Sequence, residues 1–142
     1  MNAYDKAISF LKIRAHHSGE LERKLLMRKF SREEIKETIN RLIEEKLLDN
    51  SQFAQMFLDN LIKYKNFGFY MLKAKLMQRG VAGSEAESLL KETLSFEQEL
   101  ETAQRFAERN QGVDKLKLAQ KLSSRGFRSE VIRRVSDADT SE

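Results

Sequence analysis

The chain has no cysteine and no proline, and only six of its 142 residues are glycine. Without cysteine there is no disulfide framework and no thiolate metal site. The lack of proline and the scarcity of glycine suit a helical chain with tight connections. The only histidines are the adjacent pair His16-His17. Sequence neighbours do not share a helix face, so no metal centre is expected from them. No run of eighteen apolar residues is present, which excludes a membrane span of the usual kind. The N-terminus lacks a basic stretch followed by an apolar core, so no secretory signal is expected and the expected location is the cytoplasm. There is no glycine-rich phosphate loop and no Gly-x-Ser-x-Gly elbow. Asp49 reads as a helix cap rather than a catalytic carboxylate, as do most other acids. No enzymatic activity, cofactor or metal is therefore expected.

What is abundant is charge. Asp, Glu, Lys and Arg make up 34% of the chain, with a net charge of only +4. The signs are segregated. No acid lies between Asn60 and Ser84, where Lys63, Lys65, Lys73, Lys75 and Arg79 stand. From Lys115 to Arg134 the single acid is Glu130, and Glu97, Glu99 and Glu101 cluster just before. A segregated basic face points to an anionic partner, either nucleic acid or an acidic protein surface, or else serves solubility.

Three stretches share one pattern, Leu-x-x-Lys-Leu-x-x-Arg. They are Leu21–Arg28, Leu72–Arg79 and Leu118–Arg125, followed two places on by Phe30, Val81 and Phe127. A second element recurs ahead of each: Ala7/Phe10, Ala54/Phe57 and Ala103/Phe106, as Ala-x-x-Phe. Self-similarity at this period marks a repeat architecture. Each unit reads as three helices. Ser18 is expected to cap the first motif helix, with Glu20 and Glu22 in its first turn. Ser31-Arg32-Glu33-Glu34, Ser84-Glu85-Ala86-Glu87 and Ser95-Phe96-Glu97-Gln98 read as capping boxes. Asp49 and Asp114 read as caps, and Gly80 and Gly126 as helix ends. Ile35, Ile39, Leu42 and Ile43 are expected to face inward from the third helix. Phe69 or Tyr70 is expected to plug the core between units.

The predicted fold is all-α: three tandem three-helix, helix-turn-helix-like repeats forming an elongated curved array. The predicted units are 1–48, 49–94 and 95–135, with a frayed acidic tail at 136–142. On each motif helix the leucine pairs Leu21/Leu25, Leu72/Leu76 and Leu118/Leu122 lie on the core side. Leu26 and Met77 are expected to extend that stripe. The motif Lys and Arg line one edge of it, with stems on the core rim and charges outward. Arg28, Arg79 and Arg125 fall in the last turn, where a cation also serves the helix dipole. Lys24, Lys75 and Lys121 have no such alternative and are the stronger contact candidates.

The order Arg14-x-x-x-Ser18-x-Glu20-Leu21-x-x-Lys24-Leu25, then Leu48-Asp49-x-x-x-Phe53-Ala54, then Gly68-x-x-x-Leu72-x-x-Lys75-Leu76-x-x-Arg79-Gly80-Val81, resembles the RecX family, bacterial regulators of the RecA recombinase. The resemblance spans about residues 3 to 135. It departs at Lys29, where the family usually has glycine, and at Asn50, where a second Asp is frequent. It implies a monomer that binds the groove of the RecA–DNA filament and modulates, chiefly inhibits, filament growth, ATP hydrolysis and strand exchange. It also implies weak, sequence-indifferent binding of single- or double-stranded DNA, and no catalysis. The expected contacts are Lys24, Arg28, Lys63, Lys65, Lys73, Lys75, Arg79, Lys121, Arg125 and Arg128. A free-standing helix-turn-helix-like DNA-binding protein and a protein-only helical scaffold are the alternatives.

Overall fold

A computed structural model describes residues 1–140, with side chains through Asp137. Among the described residues there are nine helices and no strand: α1 Ala3–Ile13, α2 Ser18–Met27, α3 Arg32–Glu44, α4 Asn50–Tyr64, α5 Phe69–Gln78, α6 Gly83–Thr93, α7 Phe96–Arg109, α8 Lys115–Ser124 and α9 Ser129–Thr140. Several starts follow their sequence signals. The Asp49 side chain accepts from the Gln52 amide, and Asp114 from the Lys117 amide. Ser95 and Gln98 form a reciprocal capping box. Other starts differ. His17, not Ser18, caps α2, its Nδ1 accepting from the Gly19 amide. Ser31 caps α3, but Glu34 does not reach back, because its carboxylate accepts from the Ala3 amide instead. α6 starts at Gly83 with Ala82 as a cap that makes no side-chain bond, so Ser84 is inside the helix. The last helix was expected to stop at 135 and runs on to Thr140; the remainder of the expected frayed tail, 141–142, lies outside the described residues.

All three motif helices end in one way. Arg28, Arg79 and Arg125 are C-caps, and the next residue is left-handed: Lys29 (φ 68°), Gly80 (φ 94°) and Gly126 (φ 86°). The amides of Phe30, Val81 and Phe127 donate back to the carbonyls of Leu25, Leu76 and Leu122. This is the Schellman termination, in which a left-handed residue turns the chain and an apolar residue closes over the last turn. It explains why an aromatic or aliphatic residue follows each motif arginine two places on.

The core is three clusters. Leu21 and Leu25 pack with Ala3, Ala7, Ile35 and Leu42; Leu72 and Leu76 with Leu58, Phe69 and Leu90; Leu118 and Leu122 with Ala103, Phe127 and Val131. All six motif leucines are buried, each contributing about 1.5–3 kcal/mol. Leu26, Met77 and Ile43 are exposed, against expectation. In the first unit the motif helix packs on α1 and α3, and in the second on α4 and α6. Two neighbours cover only part of a helix, and the far edge of the apolar stripe is left in solvent. Phe69 is buried in the second core, and Tyr70 stays outside.

Successive units are fastened by equivalent joints. At the first joint the Ser18 amide donates to Asn50 Oδ1 (2.8 Å), and Asn50 Nδ2 donates to Ser18 Oγ (2.7 Å). At the second the Phe69 amide donates to Glu99 Oε2 (3.0 Å). Asn50 and Glu99 each lie four residues before the alanine of Ala-x-x-Phe in their units. Gly80 abuts the backbone of Gly19 and Glu20, and Gly126 abuts that of Met71, so tightly that a Cβ on either would collide with main-chain atoms. The Gly68 and Tyr70 amides add bonds to the carbonyls of Arg125 and Gly126. Neither outward face carries these parts. The first unit has Lys29 in place of the glycine and Ala3 in place of the acceptor. The third has its α8 N-terminus capped by its own Asp114.

Candidate functional site

The two repeated motifs meet. In every unit the motif arginine lies over the phenylalanine of Ala-x-x-Phe: Arg28 on Phe10 (5.7 Å), Arg79 on Phe57 (5.2 Å) and Arg125 on Phe106 (5.3 Å). The C-cap fixes each arginine's backbone, and the ring of the unit's first helix receives its guanidinium. Such a contact contributes about 0.5–1 kcal/mol at a partly exposed position. More to the point, it holds the cation at a set height on the surface.

The second unit builds the widest part of this edge. Phe57 and Leu61 of α4, Phe67 of the connector, and Lys65, Lys75, Gln78 and Arg79 line a groove of 490 Å³. No acid lines it. Lys75 Nζ stands 5.7 Å from the Phe67 ring, and Arg125 reaches the same ring at 5.1 Å from the third unit. Arg125 Nε also donates to the Asn66 carbonyl (3.0 Å), which ties this connector across the second joint. Three of the five cations in the acid-free stretch, Lys65, Lys75 and Arg79, thus come together on one groove with aromatic support.

In the first unit the corresponding lysine is bound into a network. Lys24 Nζ donates to His16 Nε2 (2.8 Å), stands 5.1 Å over Phe10 and lies 3.9 Å from Glu20. His16 Nδ1 sits 2.9 Å from the Arg14 carbonyl. A carbonyl only accepts, so Nδ1 carries the proton and Nε2 offers its lone pair to Lys24. Arg14 holds Glu20 bidentately at 2.9 and 2.6 Å. Burial lowers the His16 imidazole below its ordinary value, and the charges of Lys24 and Arg14 add to that effect. Burial lowers Lys24 too, with Arg14 and Arg79 acting in the same direction against Glu20. For Glu20, burial pushes upward, but the Arg14 hydrogen bonds and the surrounding positive charge outweigh it and the carboxyl is lowered.

The ten expected contacts therefore separate. Arg28, Lys65, Lys75, Arg79 and Arg125 form the edge and its groove, with Lys24 at its first-unit end. Lys63 is exposed and lies 5.3 Å over Tyr64. Lys121 is exposed and makes no ion pair among the described residues. Lys73 pairs with Glu87 (3.5 Å). Arg128 is a joint residue. Its Nε donates to Glu99 Oε1 at 2.6 Å and its amide to Glu99 Oε2 at 3.1 Å, and its guanidinium covers the Phe69 ring. Sequence reasoning placed Glu99 in an acidic surface cluster. The side chain is 0% exposed. Its alignment with Asn50, through the Ala-x-x-Phe element, was the available signal. Among the described residues no group of three potential metal ligands occurs, and no helix is long and apolar enough to cross a membrane.

Residues 3–42 match the family model for the first three-helix domain of RecX. The chain is 36% identical over 138 residues to the regulatory protein RecX of Prosthecochloris aestuarii, covering 95% of this chain and 91% of that one. It is 33% identical over 138 residues to that of Chlorobium phaeobacteroides, with the same coverage. The crystal structure of RecX from Lactobacillus salivarius superposes with a TM-score of 0.83 over 96% of this chain and 93% of that one, at 22% identity. That likeness supports the fold.

Proposed function

Because the chain belongs to the RecX family of regulatory proteins, we propose that it binds the groove of the RecA–DNA filament and restrains filament growth, ATP hydrolysis and strand exchange. On this reading it acts stoichiometrically, as a cytoplasmic monomer, and catalyses nothing itself. The observation that carries the proposal is the run of arginines set on phenylalanines across three joined units, with a basic groove in the second unit. Cations at fixed positions along a jointed array suit a partner whose negative charge also repeats. The edge meets DNA phosphate and acidic protomer surfaces within the filament groove. Binding to free DNA is weak and indifferent to sequence, because the edge meets phosphate rather than base edges. Lys65, Lys75 and Arg79 supply the main contacts, with Arg28, Arg125 and Lys24 to either side.

The direct test is RecA-catalysed strand exchange and ATPase with the protein titrated to equimolar ratio. Inhibition in the parent, weakened in a Lys65→Ala/Lys75→Ala/Arg79→Ala variant that melts normally, is the expected result. Rates unchanged by equimolar parent protein would rule the proposal out. Loss of inhibition without any change in DNA affinity would instead favour a surface that binds protein alone.

A further inference from the structure

The edge read above leaves one arrangement unused. Lys24, Lys75 and Lys121 occupy the same motif position, yet only Lys24 touches an imidazole. His16 is 2% exposed, and its orientation is fixed because Nδ1–H is held by the Arg14 carbonyl. The Nε2 lone pair therefore faces Lys24 Nζ at 2.8 Å. Lys24 itself keeps 33% of its side chain exposed, so the residue is open to solvent where His16 is not. A proton acceptor fixed in hydrogen-bond contact with an amine is the geometry of an activated nucleophile.

We propose that Lys24 is a nucleophilic lysine, modified by small acyl phosphates with His16 as its proton acceptor. The first proton of the ammonium is lost to solvent, and the neutral amine attacks the acyl carbon. A C–N bond forms and the nitrogen, now positive and acidic, passes a proton along the existing hydrogen bond to His16 Nε2. The C–O bond to phosphate breaks, and inorganic phosphate leaves with the bonding pair. His16 returns its proton to solvent. The net change is ammonium plus acyl phosphate giving amide, hydrogen phosphate and one proton. No other reactant is needed.

The surroundings favour the neutral amine. Arg14 and Arg79 bear on Lys24 from the α1 end and from α5, and Lys6 shares the Phe10 ring with it at 5.2 Å. Arg28 stands over the same ring. Glu20 opposes them, but its carboxylate is taken up by Arg14 at 2.6–2.9 Å and stays 3.9 Å from Nζ. Acylation removes one positive charge from the first-unit end of the edge. The amide N–H remains able to donate to His16, so the network is kept.

The test treats the folded full chain with acetyl phosphate near neutral pH and follows each lysine by peptide mass spectrometry. Lys75, half-buried over an aromatic ring without an imidazole, is the internal reference. Lys24 should acetylate roughly tenfold faster than Lys75. His16→Gln keeps an oxygen that accepts from Lys24 but cannot take its proton, and should bring Lys24 down to the Lys75 rate. A second readout needs no variant: in the parent, the lead of Lys24 over Lys75 should vanish in acid as His16 becomes protonated. Equal rates for Lys24 and Lys75, or a lead that survives both His16→Gln and acid, would overturn the proposal.

Discussion

Glu99 is where a single change should do most damage. Its carboxylate is fully buried between the second and third units and takes three hydrogen bonds, from the amides of Phe69 and Arg128 and from Arg128 Nε. Truncation to alanine leaves both amides without that acceptor. Each orphaned amide, that of Phe69 buried and that of Arg128 half-buried, costs about 1–3 kcal/mol, the latter toward the low end. The Arg128 side chain is 32% exposed and turns out to water, so the lost ion pair adds no more than about 1 kcal/mol. These terms span about 2–7 kcal/mol, and the usual cost of breaking a buried pair, about 3–5 kcal/mol, falls inside that span. For a chain of this size that lowers the thermal midpoint by roughly 6–20 °C. Glu99→Gln should cost somewhat less, about 2–3 kcal/mol, because its amide nitrogen sets one donor against another. The loss is local to a joint, so urea unfolding should also broaden as the third unit melts ahead of the others. Amide exchange should accelerate first at Phe69 and Arg128. Glu101→Ala, two residues along the same helix and exposed, is the control and should stay within about 0.5 kcal/mol. If Glu99→Ala and Glu99→Gln both fall within about 1 kcal/mol of the parent, the joint is not held as described.

The left-handed residues offer a paired test in urea melts. Gly80→Ala should cost about 1–2 kcal/mol for its conformation and about 1–3 more for the collision with Glu20, whereas Lys29→Gly should stabilise by about 0.5–1 kcal/mol because Lys29 is exposed and left-handed. Acid should weaken the fold in two stages. His16 is held below its ordinary value of 6.5, so below that pH the unfolded chain binds the extra proton and stability falls toward the lowered value. Glu20 is held below 4.5, so its contribution is present above that pH and is lost as pH drops through its lowered value. Thermal midpoints across pH should show both limbs in the parent and only the lower one in His16→Gln. Finally, single-stranded DNA binding followed by anisotropy should lose about 0.7 from its log–log salt slope for each of Lys65, Lys75 and Arg79 changed to alanine. An unchanged slope would remove the groove from the DNA-binding surface.

The repeat, the helices and the buried leucines were legible because each is written in local spacing. Leu21 and Leu25, or Leu72 and Leu76, sit four apart and need no knowledge of the rest of the chain. The same local rule misplaced Leu26 and Met77, since it shows which side of a helix is apolar but not how much of that side neighbours cover. Caps were read correctly where the partner is three residues away, as at Asp49, Ser95 and Asp114. They were misread where a distant group took over. Ser18 gives its amide to Asn50, and Glu34 spends its carboxylate on Ala3. The acid-free basic stretch from 60 to 84 was visible in the sequence as a run. That its cations rest on Phe57 and Phe67, and that Arg128 serves Glu99, depends on contacts between units that no short window contains.

The joints also fix a length. Each is made largely from main-chain atoms pressed against glycine, which leaves little side-chain slack for the units to slide or tilt. The two outward faces lack the corresponding parts, and at one of them a lysine side chain stands where a neighbour's backbone would have to lie. The molecule is in that sense a ruler with marked ends. Three arginines are held at intervals that the joints set. A change in either joint would alter that spacing before it altered charge.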